Sequence, residues 1–117
     1  MVQKMRIIPI TRTPNQSISV VIGEVLYEIR LTSRDGTISA DIEADGKVLV
    51  IGARVVANEA IIQPPSLFPD KIFCLVTSNN DIVDYNQFGL TQILCFFTRA
   101  DFANSLDVII PQMPIII

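Results

Sequence analysis

The side chains equipped for chemistry are few, and their spacing serves it poorly. Asp81 and Asp84 share a polar stretch, and Glu24 and Glu28 stand four apart. Such carboxylate pairs do acid–base or glycosidic work when burial raises the pKa of one member. Here Asp81 follows two asparagines and Glu28 falls on the polar side of an alternating run. Turn chemistry and surface charge are the plainer reading. The stretch Asp41-Ile-Glu-Ala-Asp45-Gly46 approaches the start of an EF-hand loop. Its third position is the long Glu43, however, and its twelfth, where a bidentate carboxylate belongs, is Gly52. The chain has no histidine and two cysteines, so neither a Cys/His zinc site nor a histidine-dependent triad can be assembled. There is no Gly-x-Ser-x-Gly and, with five glycines in all, no phosphate-cradling loop. No catalytic residue, metal ligand or cofactor is expected.

The elements that hold these residues read as strands nearly everywhere. Tyr27, Ile29 and Leu31 alternate with Glu28, Arg30 and Thr32, and Ile38, Ala40 and Ile42 alternate with Ser39, Asp41 and Glu43. A period of two puts apolar and polar groups on opposite faces of a sheet. Asp35-Gly36 and Asp45-Gly46 are hairpin signals, because both positions tolerate positive φ. Three strands joined by two such turns form an antiparallel meander, and Ile18 to Ile22 joins it through Gly23. The third meander strand, Val48 to Val56, is apolar on both faces from Val48 to Ile51, which predicts cover on both sides. Gly52 predicts a bulge or sharp bend there. Ala57 to Ile62 reads as a single helical turn, and Pro64, Pro65 and Pro69 mark an irregular crossing. Lys71 to Thr77, Tyr85 to Phe88 and Thr91 to Thr98 read as further strands. The expectation is one all-β domain, a single antiparallel sandwich or barrel over residues 17–98. Extended segments flank it, an N-terminal arm over 1–16 and a C-terminal tail over 99–117.

With 117 residues, half of them apolar and 18% charged, the chain can bury enough surface to offset its ordering entropy as one domain. Net charge is −3 and the pI about 4.7, which gives nucleic acid and anionic lipid no attractive field. The first apolar run is too short for a signal-peptide core, and the longest ones fall short of a membrane span. A cytosolic origin is expected, with Cys74 and Cys95 reduced inside their apolar strands. Lys4, Arg6 and Arg12 make the arm basic, with no acid before Glu24; docking on an acidic partner or a neighbouring subunit suits it better than nucleic acid. Arg54 is a lone charge among apolar residues. It is either an outward strand residue with a packed stem or part of an interface ion pair. Ile110 and Pro114-Ile115-Ile116-Ile117 make the tail apolar to its end. Exposed, such a tail invites aggregation, so it either closes over its own core or adds to another chain.

The order of segments resembles the baseplate plug family of contractile-tailed phages. The residues that carry the likeness are Tyr27-Glu-Ile-Arg-Leu31, Ser39-Ala-Asp-Ile42 with Asp45-Gly46, and Val48-Leu49 with Gly52. Phe73-Cys-Leu-Val76 and Phe88-Gly-Leu-Thr91 leading to Leu94-Cys-Phe-Phe97 continue it, so that it spans roughly Ile18 to Thr98. The resemblance implies a non-enzymatic virion protein packed at the central hub of the tail baseplate and made in the host cytoplasm. It further implies contact with hub, tube or spike proteins and several copies around the tail axis, while the charge and the short apolar runs leave no membrane or nucleic-acid partner expected. Lys4, Arg6, Arg12, Arg54, Ile110, Pro114, Ile115, Ile116 and Ile117 are the interface candidates. A free-standing small β-domain binding a peptide or sugar is the alternative. With no tryptophan and two tyrosines the chain is poorly supplied for sugar.

Overall fold

Alternation and turn chemistry build the first half of the molecule. In the computed structural model, which describes residues 5–63, 71–77 and 82–98, strands β1 (Met5–Ile8), β2 (Asn15–Ile22), β3 (Val25–Arg34), β4 (Thr37–Ala44) and β5 (Lys47–Arg54) follow one another. Both Asp-Gly hairpins form as expected. Asp35 and Gly36 have φ of 52° and 77°, and Asp45 and Gly46 have 49° and 81°, the paired positive values of a type I′ turn. After a break come β6 (Lys71–Thr77) and β7 (Gln92–Thr98), with a 3-10 turn at Tyr85–Gln87 between them.

These strands make two antiparallel sheets, β2-β3-β4-β5 and β1-β7-β6. The fold is an open sandwich and not a closed barrel. One core fills the space between the sheets: Tyr27, Ile29, Leu31, Ile38, Ala40 and Ile42 from the first meet Ile8, Phe73, Leu75, Leu94 and Phe96 from the second. At its centre Tyr27, Phe73 and Phe96 form an aromatic triangle with ring centroids 5.0–5.5 Å apart, tilted or edge-on as ring quadrupoles prefer.

Several expectations give way. The basic arm is partly structural: β1 pairs with β7, Ile8 opposite Leu94, and the following loop is clamped by the Gln16 amide, which accepts from the Thr11 N–H and donates to the Thr11 carbonyl. The strand covered on both faces is not β5. Val48 and Ile51 are 50% and 75% exposed, because β5 is a sheet edge and register shifts against β4 turn its apolar residues outward. The two-sided strands are β6 and β7. Their second face carries Ile72, Cys74, Val76, Cys95 and Phe97, all buried. Ala57 to Ile62 forms no helix, since Asn58 has φ +62° and Ala60 bridges to Cys74. Tyr85 to Phe88 is not a strand, because the Asp84 carboxylate accepts from the Asn86 N–H and so caps a helical turn.

Candidate interface

Each acidic residue that invited a chemical reading, and that the structure describes, either serves the backbone or faces solvent. Asp41 lies beside the irregular part of β5, and its carboxylate accepts from the Gly52 N–H at 2.7 Å. Gly52 has φ +67°, a conformation that costs glycine little, so Asp41 and Gly52 together hold the bulge. Asp45 closes the next hairpin onto β3: its carboxylate accepts from the Leu26 N–H at 2.9 Å, while its own N–H donates to the Leu26 carbonyl. Glu24 and Glu28 are exposed. Asp81 lies outside the described residues. No cluster of three potential metal-ligating side chains occurs among the described residues.

The two cysteines face each other across β6 and β7 in register, and both thiols are free and buried. Burial pushes the Cys95 thiol up to about 12. Cys74 is pushed up too, by burial first and then by Cys95 and Glu59. A thiolate is the nucleophile and the metal ligand, and burial disfavours that form for both sulfurs. The Tyr27 hydroxyl is likewise raised, by burial and then by Asp45.

The interface candidates do not converge. Arg6 on β1 and Arg12 in the following loop are exposed. Arg54, also exposed, ends β5 opposite Ser39. It lines an open cleft of about 340 Å³ with Gly36, Val56, Glu59 and Ile82 at one end of the sandwich; neither Arg6 nor Arg12 lines this cleft. Ile82 is 85% exposed, so the cleft sets apolar side chains beside the charges of Arg54 and Glu59. Lys4, Ile110, Pro114, Ile115, Ile116 and Ile117 lie outside the described residues.

Sequence patterning gave the polar outer face of the meander but not its register. The register aligns Ser19, Glu28, Glu43 and Val48 in one row and Ser17, Arg30 and Asp41 in the next. Three carboxylates and one guanidinium thus line a shallow groove of about 270 Å³ whose far rim is Val48 and Ile51. Two amides were missed as well. Asn58 brackets Thr77, donating to its carbonyl and accepting from its N–H. Buried Gln92 donates to the Ile82 carbonyl and accepts from the Asp84 N–H. Both replace backbone groups where the chain is irregular. A lone amide flanking an apolar strand was the only signal in the sequence.

A family model described as cyanophage baseplate Pam3 plug gp18 matches residues 5–100. No curated protein matches the chain.

Proposed function

The chain belongs to the baseplate plug family of phages, and from that premise we propose that it packs at the central hub of the tail, joining hub, tube or spike subunits without catalysing a reaction. Membership itself makes it a structural component of the phage baseplate, in the virion tail, associated with other baseplate proteins. The observation that carries the finer reading is the extent of the match. Residues 5–100 include β1, which pairs with β7, so the match spans both sheets of the sandwich and not a single hairpin.

Physical chemistry supports a scaffold. A body with buried thiols presents two kinds of surface, an acidic sheet face with an apolar rim and an end cleft where Arg54 and Glu59 stand beside apolar side chains. Polar rims around small apolar patches are how subunits recognise one another without aggregating. In this reading Lys4, Arg6 and Arg12 grip an acidic neighbour. Arg54 seats in a second one, and the tail from Ile110 through Pro114 to Ile115, Ile116 and Ile117 orders on the hub. Assembly takes place in the host cytoplasm, with several copies around the tail axis.

Deleting Ile115 to Ile117 separates the possibilities. The isolated protein should keep its strand circular dichroism and its melting midpoint, while tails built with it should assemble poorly. If the shortened chain unfolds instead, the tail belongs to its own core and not to a neighbour. Density for the chain in an intact particle would test the hub directly; a position at the baseplate periphery would overturn it.

A further inference from the structure

Two sheets have four edges, and three of these are protected. β1 has four residues, carries Arg6 and runs into Pro9. β5 is broken by register shifts against β4 and carries Lys47 and Arg54 at its ends. β6 is covered along its free side: the Asn58 N–H donates to the Leu75 carbonyl, the Ile61 N–H to the Phe73 carbonyl, and the Asn58 amide takes both backbone groups of Thr77. Short length, charge, proline, bulges and covering segments are the usual means of keeping an edge from pairing.

Among the described residues, β2 uses none of them. Its eight residues, Asn15-Gln-Ser-Ile-Ser-Val-Val-Ile22, contain no charge and no proline, and each pairs with β3 without a shift. The parity of the ladder is fixed at both ends. The Ser33 N–H donates to the Pro14 carbonyl, and a two-residue turn closes the pair Ile22 and Val25. Hydrogen-bonded pairs alternate along an antiparallel ladder, so even-numbered residues of β2 bond to β3. Ser17, Ser19 and Val21 then aim their N–H and C=O groups away from the sheet. Val21 is 55% exposed, and Ile18, Val20 and Ile22 are half-buried.

We propose that this edge is a strand-addition site whose occupant is β2 of a second copy of the chain. Antiparallel pairing about a two-fold at Ser19 joins two four-stranded sheets into one of eight. It makes on the order of six new backbone hydrogen bonds and sets Ile18 against Val20 of the partner subunit, extending both cores. The strand is matched to itself in length and brings no charge to the seam. β3 and its counterpart sit about 14 Å apart, three strand spacings, beyond a Debye length at ~0.1 M salt, so the carboxylates on the outer face are largely screened from each other. The apolar stretch Val108 to Ile117 fits this edge less well. Pro111 and Pro114 fall on opposite parities, so one of them would face β2 where an N–H donor is needed. The proposal goes beyond the baseplate role and does not rest on it.

Ser19→Pro is the decisive variant, because the N–H it removes points away from β3 and proline is tolerated at such an edge position. By sedimentation velocity the purified full chain should be a dimer. Ser19→Pro should be a monomer with an unchanged melting midpoint, its association weakened by about 100-fold or more. Hydrogen exchange should show Ser17 and Val21 amides protected in the wild type and open in the variant. Should Ser19→Pro fail to fold, Ser19→Glu, which leaves the backbone intact and sets like charges against each other at the two-fold beside Glu28 of each copy, gives the same reading. A wild-type chain that stays monomeric at about 500 µM overturns the proposal. So does a folded Ser19→Pro protein that dimerises as before, or protection confined to another strand.

Discussion

The two sheets share one core, yet their outer faces differ. β6 and β7 are buried on both sides, with Ile72, Cys74, Val76, Cys95 and Phe97 forming a second apolar layer. The outer face of β2-β3-β4-β5 carries Glu28, Arg30, Asp41 and Glu43 among serines, with Val48 and Ile51 left exposed. A strand buried twice is fixed by packing and has no surface with which to recognise anything. A strand buried once is half scaffold and half surface. The doubly buried strands therefore carry more of the packing, and the four-stranded sheet more of the open polar surface.

The sharpest contrast is expected at Phe73, fully buried on β6 and in contact with Tyr27 and Phe96 at the core centre. Phe73→Ala should cost about 3–5 kcal/mol through lost transfer energy and an unfilled cavity, enough to unfold a marginal domain of this size. Chemical denaturation monitored by far-UV circular dichroism measures it. A cost below about 1 kcal/mol would mean that the aromatic triangle is not the anchor and would dissolve the contrast between the sheets.

The second test is alkaline. The Cys95 thiol is raised from 9.0 to about 12 by burial, and Cys74 and Tyr27 shift in the same direction. In each case the folded state holds the proton more tightly than the unfolded chain. Their contribution is therefore complete below pH ~9 and is lost as pH rises toward the folded values, by up to about 1.4 kcal/mol per pH unit for each group. Melting midpoints should be flat from pH 7 to 8 and fall above 9. Cys74→Ala/Cys95→Ala should show a shallower fall from a lower starting point. An identical slope would place the alkaline sensitivity outside the doubly buried sheet.

The same contrast explains what the sequence disclosed. β3 and β4 were legible because burial on one side writes a period of two, and because Asp-Gly pairs announce their own turns. β6 and β7 were legible as apolar runs. The apolar run Val48 to Ile51 misled, since covered strands and bulged edge strands both lose alternation, and only the register tells them apart. β1 gave no signal: four residues pair with a strand that follows them by most of the chain, and local pattern does not encode so distant a contact. Of the candidate interface, Arg6, Arg12 and Arg54 are exposed and lie apart from one another. Their separation depends on which strands become neighbours, whereas the polar face of β3 and β4 followed from the meander and only its register with β5 did not. Asn58 and Gln92 were hidden for another reason, because a side-chain amide standing in for backbone leaves no periodicity.

A smaller effect tests how the outer face is held in shape. Asp41→Ala removes the acceptor for the Gly52 N–H at the bulge of β5. A charge-assisted bond of this kind is worth about 1–2 kcal/mol when half-buried, and Asp41→Asn, which keeps an acceptor oxygen, should recover most of it. Equal losses in both variants would show that charge, and not bulge geometry, is what Asp41 supplies.

The smallest expected effect is on Ile51, 75% exposed on that bulge. Ile51→Ser deletes an apolar side chain that packs against little, so stability should change by no more than about 0.5 kcal/mol. Its worth, if the outer face is a surface for partners, lies in contact: burying a large aliphatic side chain at an interface recovers about 1.5–3 kcal/mol. The same substitution should therefore weaken incorporation into tails while leaving the melting midpoint in place. A drop in stability comparable to that of Asp41→Ala would mean that Ile51 is already covered within the isolated chain, and the four-stranded sheet would then be no more open than its companion.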